Sequence, residues 1–587
     1  MSSQSEVEPG LARRRPTRAT PPSPLPGPGA VAATNVPDVR ASIGHLWASL
    51  RTPRGQRLLA WTLVIAAVVL DCLLVGQHAL LRYQSYRADA FDLGNMDQAV
   101  WNTLHGHPFR FTNRGLDTVG PPTRLAIHVE PILFLIAPLY LVHAGPETLI
   151  VLQTVALALG ALPLFLLGLR RLPALPLVAA VIAVAYLVTP ELLGEALWDF
   201  HPVALATPLL LLALWALDAR RWPIFFVAAA LAALTKEDVA LSLLPLGLYI
   251  ALWLGQRRLG VGLLVASLAW LALCFFVILP HYNTGVAGGN NYWYRYAWLG
   301  ATPHEALINL LTHPWLPIAY VFGEPARSGY IALLLRTGGG LSIFAPALWI
   351  CALPELAVNV LSVHWEQYSG FYQYNAMLVA YLMAATVYGV AALYNARLHA
   401  EHTAHSVDHV RERGGSALGR GLHRLLPMRR HLAVAYHRAL ARIPVPSRWI
   451  APLVVIWLLV SSFWNLTTVG VGPRLSDFWR AGSAPIHHQA QIDALLARVP
   501  TSASVAATDT LNPHLSDRYT LYLMPDPQSY QAEYAAVNLD DVPPFSKEAD
   551  QRMYDTMLAS GRYVIVGRVD SVVVLHRVGP PLTPPGG

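Results

Sequence analysis

Residues 58–80 read LLAWTLVIAAVVLDCLLVGQHAL, and after LRYQS (81–85) the chain continues as YRADAFDLGNMDQAVWNTLHGHPF (86–109). The first stretch decides the fold class. It exceeds the about 20 apolar residues with which a helix crosses a bilayer. The second stretch raises the functional question. It places Asp89, Asp92 and Asp97 directly after a membrane run. Acids at a bilayer are costly, and they persist where a function needs them.

Working outward, apolar runs recur as far as Thr468, about eleven by the length criterion. Of the 587 residues, 54% are hydrophobic and 13% charged, whereas soluble domains carry about 25% charged residues. Mean hydropathy is +0.40. The expected fold class is an all-α polytopic membrane protein of about 11 transmembrane helices, with a small α/β domain at its C-terminal end. The net charge of +7 does not point to nucleic acid, because the arginines sit in blocks between apolar runs, the signature of cytoplasmic loops. Cys72, Cys274 and Cys351 all fall in apolar runs, as small core residues do, so neither a disulfide framework nor a cysteine metal site is expected.

Segment 1–53 is rich in proline and arginine and carries no apolar run. It reads as a disordered, basic cytoplasmic tail, and the run that follows is too long for a cleaved signal segment. With the N-terminus inside, the first helix exits near Leu81, and the loop 81–147 lies outside. The stretch HVEPILFLIAPLYLVHAG (128–145) contains prolines and a polar start. If only the next run, Leu149–Leu169, crosses, then Arg170 and Arg171 fall inside; 127–143 therefore reads as a helix in the outer leaflet. The membrane core is assigned to 54–395, a basic cytoplasmic loop to 396–448, a last helix to 449–469 and an extracytoplasmic α/β domain to 470–587. Between His281 and Tyr374 an even number of crossings is needed, and a pair broken at Gly338–Gly340 supplies it. In the last domain SASVAATD and RYVIVGRVDSVVVLHRV read as strands, while HHQAQIDALLARV and KEADQRMYDTMLASG read as helices. No glycine-rich phosphate loop is present there.

Sorted by side, the unusual polar residues converge on the outer face: Asp89, Asp92, Asp97, His128, Glu130, Glu195, Asp199, His201, Lys236, Glu237, Asp238, His281, Arg295, His364, Glu366, Tyr372 and Tyr374. Each also has a structural explanation. Asp92 suits an N-cap. His128 and Glu130 suit a polar helix start at the interface, and Asp199 and His201 a turn before Pro202. Lysine is rare in this chain, at Lys236 and Lys547 alone. Lys236 stands at an outward helix end, against the positive-inside trend, so it needs an anion: either Glu237 or Asp238, or a phosphate.

The segments FDLGNMDQAVWNTLHGHPF, HVEPILFLIAPLYLV, LQTVALALGALPLFLLGLRRL, WDFHPVALATPLLLLAL and LTKEDVAL together resemble a bacterial family of predicted membrane proteins of unknown function, over approximately 58–395. SVAATDTLNPHLSDR is similar to that family's C-terminal part. More distantly, the family resembles the GT-C integral-membrane glycosyltransferases. That resemblance implies a sugar leaving a polyprenyl phosphate, with an acidic residue of the first external loop acting on the acceptor. Asp92 stands at the matching place, with Asp89 as its rival. The paired Asp-Glu of protein mannosyltransferases and the WWD-type motif of oligosaccharyltransferases are absent. The partners then expected are the lipid bilayer, a polyprenyl-phosphate-linked sugar and a glycan, lipid or protein acceptor, with the cytoplasmic membrane of a bacterium as the location. Lys236, His128, Glu130, Asp199, His201, Arg295 and Tyr374 are expected to bind substrate. Asp92, Asp97 and Glu130 are the trial ligands if a divalent cation takes part. The alternatives are a transporter or flippase, which would place polar groups at mid-bilayer, and a non-enzymatic membrane scaffold.

Overall fold

A computed structural model describes residues 52–113, 121–283, 292–406, 426–468, 486–541 and 547–583. Nearly all of the expected basic tail, the middle of the 396–448 loop and residues 470–485 lie outside the described residues.

Five described helices are long and apolar enough to cross a membrane: Pro53–Gln84, Pro146–Arg171, Arg257–Tyr282, Gln373–His402 and Ser447–Thr467. A sixth forms if Pro176–Leu187 and Pro190–Leu197, bent by 46°, are one span. The chain is a multi-pass integral membrane protein. About eleven full-length crossings were expected. The difference arises where apolar runs form shorter helices: Pro202–Asp218, Trp222–Ala233, Val239–Trp253 and Pro346–Leu361. Pro202, Pro223 and Pro346 stand in the first turn of three of them, where a missing amide proton costs least, and Pro245 and Pro354 lie inside Val239–Trp253 and Pro346–Leu361.

Gln373–His402 is the central helix, with 83% of its apolar window buried, against 22% for Pro53–Gln84. Its small residues let neighbours approach closely. At Gly389 an added Cβ would lie 2.3 Å from the Leu341 carbonyl oxygen. By contrast, Pro53–Gln84 leaves Leu63, Ile65, Val69, Leu70, Leu73 and Leu74 exposed, an apolar face suited to lipid. After Pro325–Arg336 the chain kinks at Gly338, Gly339 and Gly340, with φ of +62°, +68° and +73°, a left-handed run that only glycine adopts at little cost. Residues 133–141 form two short turns, Leu133–Ile136 and Ala137–Leu141, which are too short to cross.

The C-terminal region holds a five-stranded mixed sheet in the order β2-β1-β3-β5-β4. Its strands are β1 Val505–Ala507, β2 Leu521–Leu523, β3 Tyr534–Asn538, β4 Tyr563–Val569 and β5 Val572–Arg577. β1 pairs in parallel with β2 and β3, while β5 runs antiparallel to β3 and β4. Helices Gln489–Leu496 and Lys547–Ala559 pack on it. Two strands go beyond the sequence reading: β2 has three residues and β3 five, too few for a clear alternation.

This region is packed directly on the end of the membrane core. Tyr86, just past the first span, belongs to the hydrophobic cluster of Ile492, Leu495 and Leu511. The His514 ring stacks on Tyr83 and Tyr86 at 4.3 and 4.0 Å, and one of its nitrogens lies 3.0 Å from the Tyr83 carbonyl oxygen.

Candidate functional site

Asp92 lies in a π-helical turn, Ala90–Gly94, that leads into the helix Asn95–Leu104. It is not a cap. Trp198 Nε1 donates to its Oδ2 at 2.9 Å, and His201 Nε2 is 3.1 Å from its Oδ1. Trp198 and His201 come from the turn between Pro190–Leu197 and Pro202–Leu205. Gln153 holds that turn. Its amide donates to the carbonyls of Glu195 and Trp198 at 3.0 and 3.2 Å and accepts from the His201 amide at 2.9 Å.

His201 Nδ1 lies 3.0 Å from the Asp199 carbonyl, so both ring nitrogens face acceptors. Burial works against charge on this ring, but Asp92 outweighs it and raises the pKa above its usual value. Both ring nitrogens are thus engaged, by Asp92 and by the Asp199 carbonyl. In turn, burial works to raise the Asp92 pKa, yet His201 and Trp198 bring it down to about 2. Asp92 stays ionised, with a side chain 30% exposed.

Asp89 and Asp199 complete the first cluster. The buried Arg82 guanidinium pairs with Asp199 and lies 3.7 Å from Asp89, and the Asp89 amide donates to Asp199 at 2.7 Å. Burial and then Asp199 push the Asp89 pKa well up. Burial works to raise the Asp199 pKa as well, against the pull of Arg82. Donor atoms of Asp89, Asp92 and Asp199 fall within 4.8 Å of one another, a set of oxygen ligands suited to a hard divalent cation. Arg82 already pairs with Asp199 and lies close to Asp89, and Trp198 and His201 engage both oxygens of Asp92, so the fit for a further cation is poor.

A second cluster surrounds Lys236. Its ammonium lies 2.6 Å from Asp238, the internal pairing that was one of its two sequence explanations. Burial opposes this charge, but Asp238 and Glu237 raise the Lys236 pKa above its usual value. Glu237 accepts from the Val129 amide at 2.9 Å and lies 2.8 Å from His128 Nδ1. Burial, then Lys236, lowers the His128 pKa to about 3, so His128 is neutral. Its ring stacks on Tyr292, and Tyr292 lies under the Arg295 guanidinium at 4.4 Å. Arg295 reaches Gln367 at 3.4 Å and interacts with Tyr374, while its buried Nε has no hydrogen-bond partner among the described residues. Arg295 also links the two clusters. Burial and then Arg295 lower the His364 pKa to about 4, and Asp92 acts on the same ring.

Asp97 and Glu130 sit elsewhere, which corrects the trial ligand set. Asp97 is fully buried, accepting from Tyr140 and, at 2.6 Å, from Ser516 of the C-terminal region. Glu130 is taken by Arg124, at 2.8 Å from Nη2 and 3.1 Å from Nε. His281 is exposed. Arg82, Trp198, Gln153 and Arg124 were missed. Arg82 had a readable signal, the same one that marked Lys236: a cation at the end of a span opposite to the arginine blocks.

The C-terminal region closes the back of this turn. Asp509 accepts from the Ala90 amide at 2.9 Å. Asn113 donates to the Ala90 carbonyl at 2.9 Å and exchanges two amide hydrogen bonds with Asn512, at 2.7 and 2.9 Å. Gly94 approaches Asn512 so closely that a Cβ would lie 2.5 Å from its side-chain oxygen.

No curated protein sequence matches the chain. Among solved structures, ArnT from Cupriavidus metallidurans bound to undecaprenyl phosphate is similar at 14% identity, covering 87% of this chain and 97% of that one, with a TM-score of 0.45. The Archaeoglobus fulgidus oligosaccharyltransferase AglB, in complex with an inhibitory peptide and a dolichol-phosphate, is similar at 12% identity, covering 81% and 69%, with a TM-score of 0.32. The sequence profile of the predicted membrane proteins DUF2079 matches residues 82–405, more than half of the chain, and the protein belongs to that family.

Proposed function

We propose that the protein is a membrane glycosyltransferase that moves a sugar from a polyprenyl-phosphate donor to an acceptor at the extracytoplasmic face, with inversion. In this reading the shorter apolar helices complete the crossings of a GT-C-like core, and the end that carries the C-terminal region faces outward. One observation carries it: an ionised, part-exposed Asp92 shares an electrostatic environment with Arg295, whose buried Nε–H lacks an acceptor among the described residues. The first is a proton acceptor, the second an anion receptor.

The acceptor hydroxyl donates to Asp92 and attacks the anomeric carbon. The new carbon–oxygen bond forms as the bond to phosphate breaks, and the electron pair leaves with the phosphate. Arg295 offsets that charge in a site shielded from water, with Lys236 behind it. A carboxylate with a pKa of about 2 is a weak base. It suffices because the proton moves late, once bonding to the electron-poor carbon has made the acceptor oxygen strongly acidic. His201 and Trp198 keep Asp92 ionised until then.

Purified protein, a labelled polyprenyl-phosphate sugar and a membrane extract make the assay. Asp92→Asn should lower transfer by about 10²–10⁴-fold, the contribution of general acid–base catalysis, while Arg295→Ala weakens donor binding. Near-normal transfer by Asp92→Asn would remove the base assignment. No transfer by wild type across the common donors would remove the reaction.

A further inference from the structure

Two histidines and an aspartate meet on the C-terminal region, outside the site above. His487 and His488 precede the helix Gln489–Leu496, and Asp570 occupies the turn between β4 and β5. His488 Nδ1 lies 3.0 Å from one carboxylate oxygen of Asp570 and 3.2 Å from the other. His487 Nδ1 is 3.7 Å from the same side chain, and the two imidazole rings are 3.8 Å apart.

Both imidazoles turn to the one carboxylate, His488 at hydrogen-bond distance and His487 at 3.7 Å, and the His487 side chain is 82% exposed. Two rings pressed together repel when protonated; a shared cation reverses the sign. The backbone adds a second argument. Asp570 has φ of +51°, which a two-residue hairpin turn requires. His488 has φ of +57° at the helix N-cap and makes no side-chain cap bond. Histidine is among the residues that tolerate that conformation, and here its ring is directed to Asp570 rather than to the helix.

We propose that His487, His488 and Asp570 form a binding site for zinc or a similar borderline divalent ion. Two of the three donors are imidazole nitrogens, which favour zinc, nickel or copper over magnesium and calcium. Donor atoms around a tetrahedral zinc stand about 3.4 Å apart, given bonds of about 2.0–2.2 Å. The two separations from the Asp570 oxygen, 3.0 and 3.7 Å, bracket that value. Exposure leaves the fourth position to water. The ion fastens the start of the helix to the hairpin at the docking point on the membrane core, since Gln489 donates to the Gln84 carbonyl at 2.9 Å and the Tyr86 hydroxyl donates to Asp493.

The test uses the full chain without a histidine tag, purified in detergent and stripped with a chelator. Zinc chloride is titrated by calorimetry, and bound zinc is counted after dialysis. Wild type should retain one zinc per chain. His488→Ala and Asp570→Asn should each lose it, and zinc should raise the unfolding temperature of wild type but of neither variant. All three side chains are exposed, so the variants keep their fold, which circular dichroism checks. Asp89→Asn should retain the zinc, separating this site from the carboxylates near Arg82. No zinc on wild type, or equal zinc on His488→Ala and Asp570→Asn, would overturn the proposal.

Discussion

Asp92 and Asp97 lie five residues apart on one segment, yet they face opposite regions of the molecule. Asp92 turns to the membrane core. There the His201 ring and the Trp198 indole hold its carboxylate ionised, with a pKa lowered to about 2. Asp97 turns to the C-terminal region. Two hydroxyls, from Tyr140 and Ser516, are its partners, and burial followed by the neighbouring Asp517 pushes its pKa well up. Burial acts on both, so it does not make the difference. The His201 ring within hydrogen-bond reach brings the Asp92 pKa down, and a second carboxylate pushes that of Asp97 up. Environments that drive two like groups apart in this way divide roles between them: under the proposed reaction the first serves chemistry, while the second fastens the C-terminal region.

The largest expected effect tests that division directly. Asp92→Asn should cost about 10²–10⁴-fold in transfer with little change in stability, whereas Asp97→Asn, which mimics a protonated carboxyl, should leave transfer nearly intact. Equal losses would erase the distinction. Next in size is Arg82→Ala. It leaves Asp199 buried without its guanidinium partner, and unpartnered buried charge costs about 3–5 kcal/mol, readable as a lower unfolding temperature in detergent. A third test probes the fastening side. Gly94 has helical φ and ψ, so Gly94→Ala adds no backbone strain but clashes with Asn512 and presses on Asn113. Overpacking of this kind costs about 1–3 kcal/mol, and Gly94→Ala combined with Asn512→Ala should recover part of it.

The smallest effect is a slope against pH. Burial raises the Asp509 pKa to about 7, above the about 3.9 of an unfolded aspartate. Between these values the folded state holds more protons than the unfolded state, so this group makes stability fall as pH rises, by at most about 1.4 kcal/mol per unit. Asp509→Asn, which still accepts from Ala90, should flatten that decline in unfolding temperature between pH 4 and 7. Asp92 has the opposite sign: its lowered pKa lets the unfolded state hold more protons between about 2 and 4, so its contribution is lost as the solution is acidified through that window. Slopes of the same sign would break the contrast between the two sides of the segment.

Much of this was legible in the sequence. Length and hydropathy determined a multi-pass membrane protein, because a bilayer of fixed thickness imposes a fixed run length. The β4–β5 hairpin and both helices of the C-terminal region were readable from local periodicity, and the outlying cation Lys236 from the arginine distribution. The resemblance of the FDLG segment to GT-C loops marked Asp92 and Asp89. Only the tertiary structure decided the rest. Which of three neighbouring aspartates meets His201 depends on a turn 109 residues away along the chain. That Arg82 serves Asp199 and that Asp97 fastens a C-terminal sheet follow from contacts over distances at which sequence spacing carries no information, while Glu130 is consumed by Arg124 only six residues away. The physical reason is that a carboxylate's charge state is set by what lies within a few ångströms of it, and in this protein those neighbours come from other elements of the fold.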